Sequence, residues 1–551
     1  METRALVTVA RKYALRCCLL WGALVPAAFA QGTRVNAPVV PGGYVGAWKI
    51  SASGSRAFYA GWQTTVDVNE IHDVPLDGSQ ATRILSAPFL PGRGCFPYLA
   101  YQVSPDDARV LYLADHDADE QFELYSVPTD GTRVSTKLSG PMIPQGDVQL
   151  DFRWTPNGTR VLYRADATAD NSMRFYSSMA DGSVAPVQLH PQFVQKFQIT
   201  PDSSRAVFGS GQLYSAPVDG SAPSQQLSSS AETDFVGDFA ITPDAQRVVF
   251  VGGYFYYDPL SEDDIAYGLY SVPVGGGTPA LELLTPIEAS FSISSPPAFQ
   301  ITQDSTRVVY HSTIDGRLFS LRVDGLEPPL LLNPGTEGVS FFSVSPDGST
   351  VALVTFSGGG ARLYSVPVNG SAGPTLLTSS FLQITKPDIS SLGVVVFIAW
   401  VGGVYELYSV PIDGSQAPTR LSGTMAAGGG VWDAASTGIP SYWISPDGRW
   451  VLYKADQDTN DVVELFCAPF HGRYGAWKVS GPLVAGGDTY SVTFVPGSRR
   501  IVYNADQETD GATELFTSAY GVGGMPHGQP QLGAKGLNAA GNPGSATVTA
   551  P

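Results

Sequence analysis

"LYSVPTDG", Leu124–Gly131, is the phrase on which the fold of this chain turns. Its side chains alternate between two faces, as those of a half-buried strand do, and its Asp-Gly pair favours a tight turn. The phrase recurs. Further clear copies start at Phe175, Leu213, Leu269, Leu318, Leu363 and Leu407, and weaker ones at Ile71, Leu465 and Leu515, which makes ten. A second phrase stands upstream of each copy. Its clear versions are "VSPDDARVLY" (103–112), "WTPNGTRVLY" (154–163), "ITPDAQRVVF" (241–250), "VSPDGSTVAL" (344–353) and "ISPDGRWVLY" (444–453). A short strand such as "TRIL" (82–85) or "TRLS" (419–422) often follows.

One unit therefore reads as four strands. The first ends at Ser/Thr-Pro-Asp-Gly, a turn former. The second is "RVLY", rich in β-branched and aromatic residues. The third is the repeated phrase, and a second Asp-Gly turn leads to the fourth. A single sheet of this kind cannot bury both faces, so neighbouring units must stack around an axis. Four antiparallel strands repeated ten times predict an all-β chain, a β-propeller of about ten four-stranded blades. The abundant turn residues (60 Gly, 42 Pro in 551 residues) and a charged content of 15% fit many short strands joined by tight turns.

These phrases resemble the TolB-like, WD-repeat-like propeller unit, which is also found in prolyl-oligopeptidase-type propellers. The resemblance covers nearly all of residues 33–520. It implies fold and leaves function open, because such propellers serve as protein-binding platforms or as lids on catalytic domains.

The tenth unit lacks a clean fourth strand. At the other end, "TRVNAPVVPGG" (33–43) matches "TKLSGPMIPQG" (136–146) and "WKVSGPLVAGG" (477–487), which are fourth strands with their connectors. The N-terminal segment is thus expected to complete the last blade and close a single ring. Two smaller propellers are the alternative. The eighth unit, "ITKPDISSLGVVVFIAW" (384–400), is degenerate.

Residues 1–30 read as a signal peptide, with Arg4, Arg11, Lys12 and Arg16 before an apolar run that ends in Ala28-Phe29-Ala30. The expectation is an exported protein, periplasmic or extracellular, with a propeller over 31–520 and a Gly/Pro/Ala-rich disordered tail over 521–551. If the host is a Gram-negative bacterium, the TolB resemblance implies a cell-envelope role. Removing four basic residues and one acidic residue with the leader leaves 28 basic against 49 acidic side chains, a net −21. That balance argues against nucleic acid and anionic lipid as partners, although it also fits plain solubility. Export permits a disulfide between Cys95 and Cys467, but the repeat map sets them on different blades; two buried thiols are the other reading.

Three hairpins between second and third strands carry oxygen donors at positions one, three, five and nine. They are Asp456, Asp458, Asn460 and Glu464 in blade nine; Asp506, Glu508, Asp510 and Glu514 in blade ten; and Asp115, Asp117, Asp119 and Glu123 in blade two. Such sets can wrap Ca²⁺, with carbonyls and water completing the shell. Solvated acidic turns are the competing reading. Blade three keeps Asp166 and Asp170 but has Arg174 at position nine, so it is expected not to bind metal. Blade one, read at Gly61, Gln63 and Thr65, has lost the pattern.

Second-to-third hairpins and blade-to-blade connectors emerge on one face of a propeller. Aromatic residues there, Tyr254, Tyr256, Tyr257, Phe96, Tyr98 and Trp432, are candidates for contact with a protein, peptide or glycan partner, against the plainer role of packing between blades. No Gly-x-Ser-x-Gly elbow occurs, and His72, His116, His190, His311, His471 and His527 show no metal-ligand spacing. The expectation is a non-catalytic, monomeric scaffold. A propeller-type lyase or glycosidase acting at the axial channel is the alternative.

Overall fold

The computed structural model describes residues 32–521, except 90–92, 96–99, 170, 231–232, 259–261, 289–298, 313–314, 334, 336, 432–440 and 473–474. The described elements are strands, arranged as ten antiparallel sheets. Blade two shows the plan: Tyr101–Val103, Arg109–Ala114, Glu123–Pro128 and Thr136–Lys137, paired in sequence order.

The first turn explains the Ser/Thr-Pro-Asp phrase. Ser104 Oγ donates to the Asp106 carboxylate at 2.6 Å and accepts the Arg109 N–H at 2.9 Å. In nine blades the third residue after this Ser/Thr has a positive φ: Gly54, Asp107, Gly158, Ser203, Ala245, Ser305, Gly348, Gly393 and Gly448. The turn thus keeps its shape even where the residue is not glycine, at some backbone cost.

The aromatic residues of "VLY" and "LYS" meet across the strands. Tyr112 lies opposite Tyr125, with ring centroids 5.8 Å apart. The same stacked pair recurs as Tyr163–Tyr176, Phe208–Tyr214, Phe250–Tyr270, Tyr310–Phe319, Phe397–Tyr408, Tyr453–Phe466 and Tyr503–Phe516. Blade one replaces the second ring with histidine, pairing Tyr59 with His72 at 5.0 Å.

Ten apolar clusters join the blades, each spanning two neighbours. One holds Phe58 and Ile71 of blade one with Tyr101 and Val110 of blade two. The series runs on through blades two and three, three and four, and so to nine and ten. The tenth cluster packs Val45, Tyr59 and Val74 of blade one on Val495, Val502 and Leu515 of blade ten. Ten interfaces for ten blades make one closed ring and exclude two separate propellers. First strands of neighbouring blades also reach each other, for example Gln102 Nε2 to the Phe152 carbonyl at 2.5 Å, which places them on the inner wall.

Closure follows the sequence expectation. Thr33–Arg34 pairs antiparallel with Glu514–Ala519, with Thr33 opposite Thr517 and Arg34 opposite Phe516. Around this short pairing, Val35 N–H donates to the Leu515 carbonyl at 2.8 Å, and buried Asn36 accepts the Leu515 N–H at 2.7 Å. Blade eight is the irregular one. Gln383–Ile384 and Asp388–Ile389 both pair with Val394–Val401, giving five strands. Cys95 and Cys467 are free and buried, Cys95 between blades one and two and Cys467 between nine and ten.

Candidate functional site on the loop-rich face

The acidic hairpins form one structural unit. Position one caps the loop and grips the incoming connector. Asp456 accepts N–H groups from Gly430 at 2.7 Å and Asp461 at 3.1 Å. Asp506 does the same with Asp488 and Gly511, and Asp115 accepts from Gly94 at 2.8 Å. In blade three, Asp166 accepts from Asp147 and Asn171; Asp170 lies outside the described residues. The fifth residue after position one has a positive φ in all of these loops, at Asp461, Gly511, Glu120 and Asn171. The loop shape is therefore independent of whether acids occupy positions three and nine.

Positions three and nine close on a cation from the same blade's fourth strand. Lys478 Nζ lies 2.8 Å from Glu464 and 2.9 Å from Asp458. Lys137 bridges Glu123 and Asp117, and Arg34 bridges Glu514 at 3.4 Å and Glu508 at 2.8 Å. Burial works against the charge of Lys137 and of Lys478, but hydrogen bonds to their two carboxylates outweigh it and raise each ammonium above its usual range. The register explains the match: Lys137 sits opposite Tyr125 and Lys478 opposite Phe466, each diagonal to the glutamate two residues earlier. Blade eight repeats half of the arrangement, with Arg420 2.8 Å from Glu406.

Position five points outward. Asp119, Asn460 and Asp510 are exposed, and Asn460 donates to Asp461. The twelve candidate oxygen donors thus divide into a backbone clasp, an ion pair and solvent. Among the described residues no group of three or more His, Cys, Asp or Glu side chains is placed to hold a metal ion. In this structure the carboxylates at positions three and nine are engaged by the fourth-strand cation.

Position two was not singled out from the sequence, although its side chain is the best anchored. Gln457 accepts from Tyr453 Oη at 2.7 Å and from the Gly423 N–H at 2.8 Å. Gln507 accepts from Tyr503 Oη at 2.8 Å and donates to the Gly32 carbonyl at 3.0 Å. Gln63 pairs with Tyr59 and donates to Ala37 at 3.3 Å, and His116 pairs with Tyr112 at 3.1 Å. The legible signal was a tyrosine four residues before a Gln or His. This spacing also corrects the alignment of blade one. Gln63 corresponds to Gln457, and Gly61 lies opposite Glu70 as Ala455 lies opposite Glu464, so position nine is kept there.

Blade five rises beyond the ring. Its second and third strands, Arg247–Asp258 and Glu262–Pro273, have 12 residues each and stay paired out to Asp258 opposite Glu262. The insertion is therefore a regular ladder. Tyr254 is partly buried against the cluster of blades four and five and accepts from Tyr270 Oη at 3.3 Å. Phe255 is 63% exposed, with its ring 5.3 Å from Phe235 and its N–H on the Asp234 carboxylate. Tyr256 and Tyr257 are placed on the ladder opposite Asp264 and Asp263. Phe96, Tyr98 and Trp432 lie outside the described residues.

On the inner wall a cleft of 490 Å³ opens between blades one and ten, lined by Trp48, Lys49, Ser491, Phe494 and Asn504. Burial lowers the pKa of Lys49 there.

No protein-family model matches the chain, and no curated protein matches it. Solved structures match the chain at low identity. Dipeptidyl peptidase 4 of Porphyromonas gingivalis is 12% identical, over 85% of this chain and 67% of that one, with a TM-score of 0.45. A eukaryotic initiation factor is 11% identical, over 74% and 97%, with a TM-score of 0.42. A putative TolB from Agrobacterium tumefaciens is 17% identical, over 43% and 83%, with a TM-score of 0.25.

Proposed function

We propose that the chain is an exported β-propeller scaffold that binds a protein, peptide or glycan through its loop-rich face. The carrying observation is the arm of blade five, which holds Phe255 63% exposed on a paired ladder above the ring. A large ring side chain exposed on a strand-paired arm is of the kind that anchors a partner. The connectors on this face are also fixed, through Asp456, Asp506, Gln457 and Gln507, so the surface they present is pre-organised.

The test is a peptide and glycan array probed with residues 31–551 and with Phe255→Ser. Loss of the hits in the variant supports the reading. Hits that survive, or an array with none, move it off this face. A second reading, chemistry at the axial channel, is favoured by the lowered pKa of Lys49 in the cleft between blades one and ten. Turnover of uronate polymers that is lost in Lys49→Met would establish it in place of the scaffold.

A further inference from the structure

At the position of the second ring in each stacked pair, nine blades carry tyrosine or phenylalanine: Tyr125, Tyr176, Tyr214, Tyr270, Phe319, Tyr364, Tyr408, Phe466 and Phe516. Blade one carries His72. It is 0% exposed and lies opposite Tyr59, on the side of blade one that packs against Val495, Val502 and Leu515 of blade ten. That interface is the closing seam of the ring. Neither ring nitrogen has a hydrogen bond of ordinary geometry, and the Gly61 carbonyl is the one backbone acceptor that acts on the ring.

The groups around the imidazole are few. The Tyr59 ring covers one face at 5.0 Å. The Gly61 carbonyl and the Asp73 carboxylate favour a proton on the ring, and Arg133 opposes it. Asp73 is already engaged by Arg56 and by Arg83, the latter at 2.7 Å. The blade-ten side contributes apolar side chains and, acting on the Tyr59 hydroxyl, the Glu514 carboxylate, which is engaged by Arg34. A neutral imidazole fits this space as a flat aromatic ring; an imidazolium would be a buried charge with its nearest counter-charge spoken for.

We propose that His72 makes the closing seam acid-labile, so that protonation of this one side chain loosens blade one from blade ten and opens the ring there first. Burial, the largest influence, lowers the His72 pKa to about 4, against about 6.5 in an unfolded chain. The unfolded state therefore takes up the proton first. The stability contributed by neutral His72 is complete above about pH 6.5 and is lost as pH falls toward about 4. The seam is otherwise held by its apolar cluster, by the short backbone pairing of Thr33–Arg34, and by the Asn36 and Arg34 contacts, so a buried charge placed against that cluster acts on the seam locally.

The experiment compares wild type, His72→Phe and His72→Gln. Thermal midpoints are followed from pH 7.5 to 4, with hydrogen exchange at the seam amides of Val35, Val45 and Leu515 and, as a distant control, at Val309. Phenylalanine restores the ring used in other blades; glutamine gives a neutral polar second variant if phenylalanine does not fold. The expected result is a wild-type midpoint that falls more steeply with acid than that of a folded variant, and seam amides that lose protection before Val309 in wild type alone. Parallel pH profiles in wild type and a folded variant would overturn the proposal. So would loss of protection that begins at Val309.

Discussion

The Arg34 guanidinium stands 2.8 Å from the Glu508 carboxylate, 474 positions away in the sequence. The pair belongs to the strand that turns a row of ten blades into a ring, and it repeats what Lys137 and Lys478 do within blades two and nine. Closure thus reuses the ordinary fourth-strand contacts of the repeat, with the fourth strand supplied from the other end of the chain.

Within the closing segment, buried and exposed contacts should differ in weight. Asn36 is 4% exposed and satisfies the Leu515 N–H, so Asn36→Ala leaves a buried donor unpaired and should cost about 1–3 kcal/mol. Glu508→Ala removes only the exposed partner of Arg34 and should cost about 0–1 kcal/mol. Chemical denaturation of the two variants checks the order.

The position-two glutamine is expected to be structural. Gln457→Ala removes the acceptor of the buried Tyr453 hydroxyl and leaves the Gly423 N–H only its 3.3 Å bond to that hydroxyl, at a cost of about 1–3 kcal/mol. Asp458→Ala, at an exposed position on the same loop, should change stability by less than about 1 kcal/mol. Equal effects from the two would remove the distinction between anchor and ion pair.

Calcium offers a sharp contrast. With a cation from the fourth strand seated between positions three and nine, thermal midpoints in excess EDTA and in added calcium should agree. A calcium-dependent rise that disappears in Asp456→Ala plus Asp506→Ala would show instead that these side chains rearrange around the ion.

Phe255→Ser should change the unfolding free energy by less than about 0.5 kcal/mol, as for a surface substitution, while weakening partner binding. A large loss of stability would mean that the ring packs on Phe235 more than it serves a partner.

The repeats made most of the fold legible. "TRVNAPVVPGG" matched two internal fourth strands, and the structure pairs Thr33 and Arg34 where that match placed them. The acidic hairpins were legible as loops and as one side of a contact. Their partners were harder to see, because Lys478 lies 14 residues from Glu464 and acts only once the fourth strand folds back diagonally. Spacing within a loop cannot tell an ammonium from a metal when both satisfy the same oxygens. Blade eight hid its extra strand because Lys386 and Pro387 interrupt the pattern between Gln383–Ile384 and Asp388–Ile389. Blade one hid its histidine because His72 occupies an ordinary position and acquires its character from burial at the seam.

The closed single ring is tested most directly by cross-linking Thr33→Cys to Thr517→Cys. The two residues are opposite in register, where antiparallel Cα atoms stand about 4.5–5.5 Å apart, within disulfide reach. The account predicts a disulfide that forms in the folded chain without denaturant and raises the thermal midpoint, while Thr33→Cys with the off-register Ala519→Cys does not cross-link. Failure of the in-register pair to form in a folded chain, or equal cross-linking by both pairs, would contradict closure by this strand.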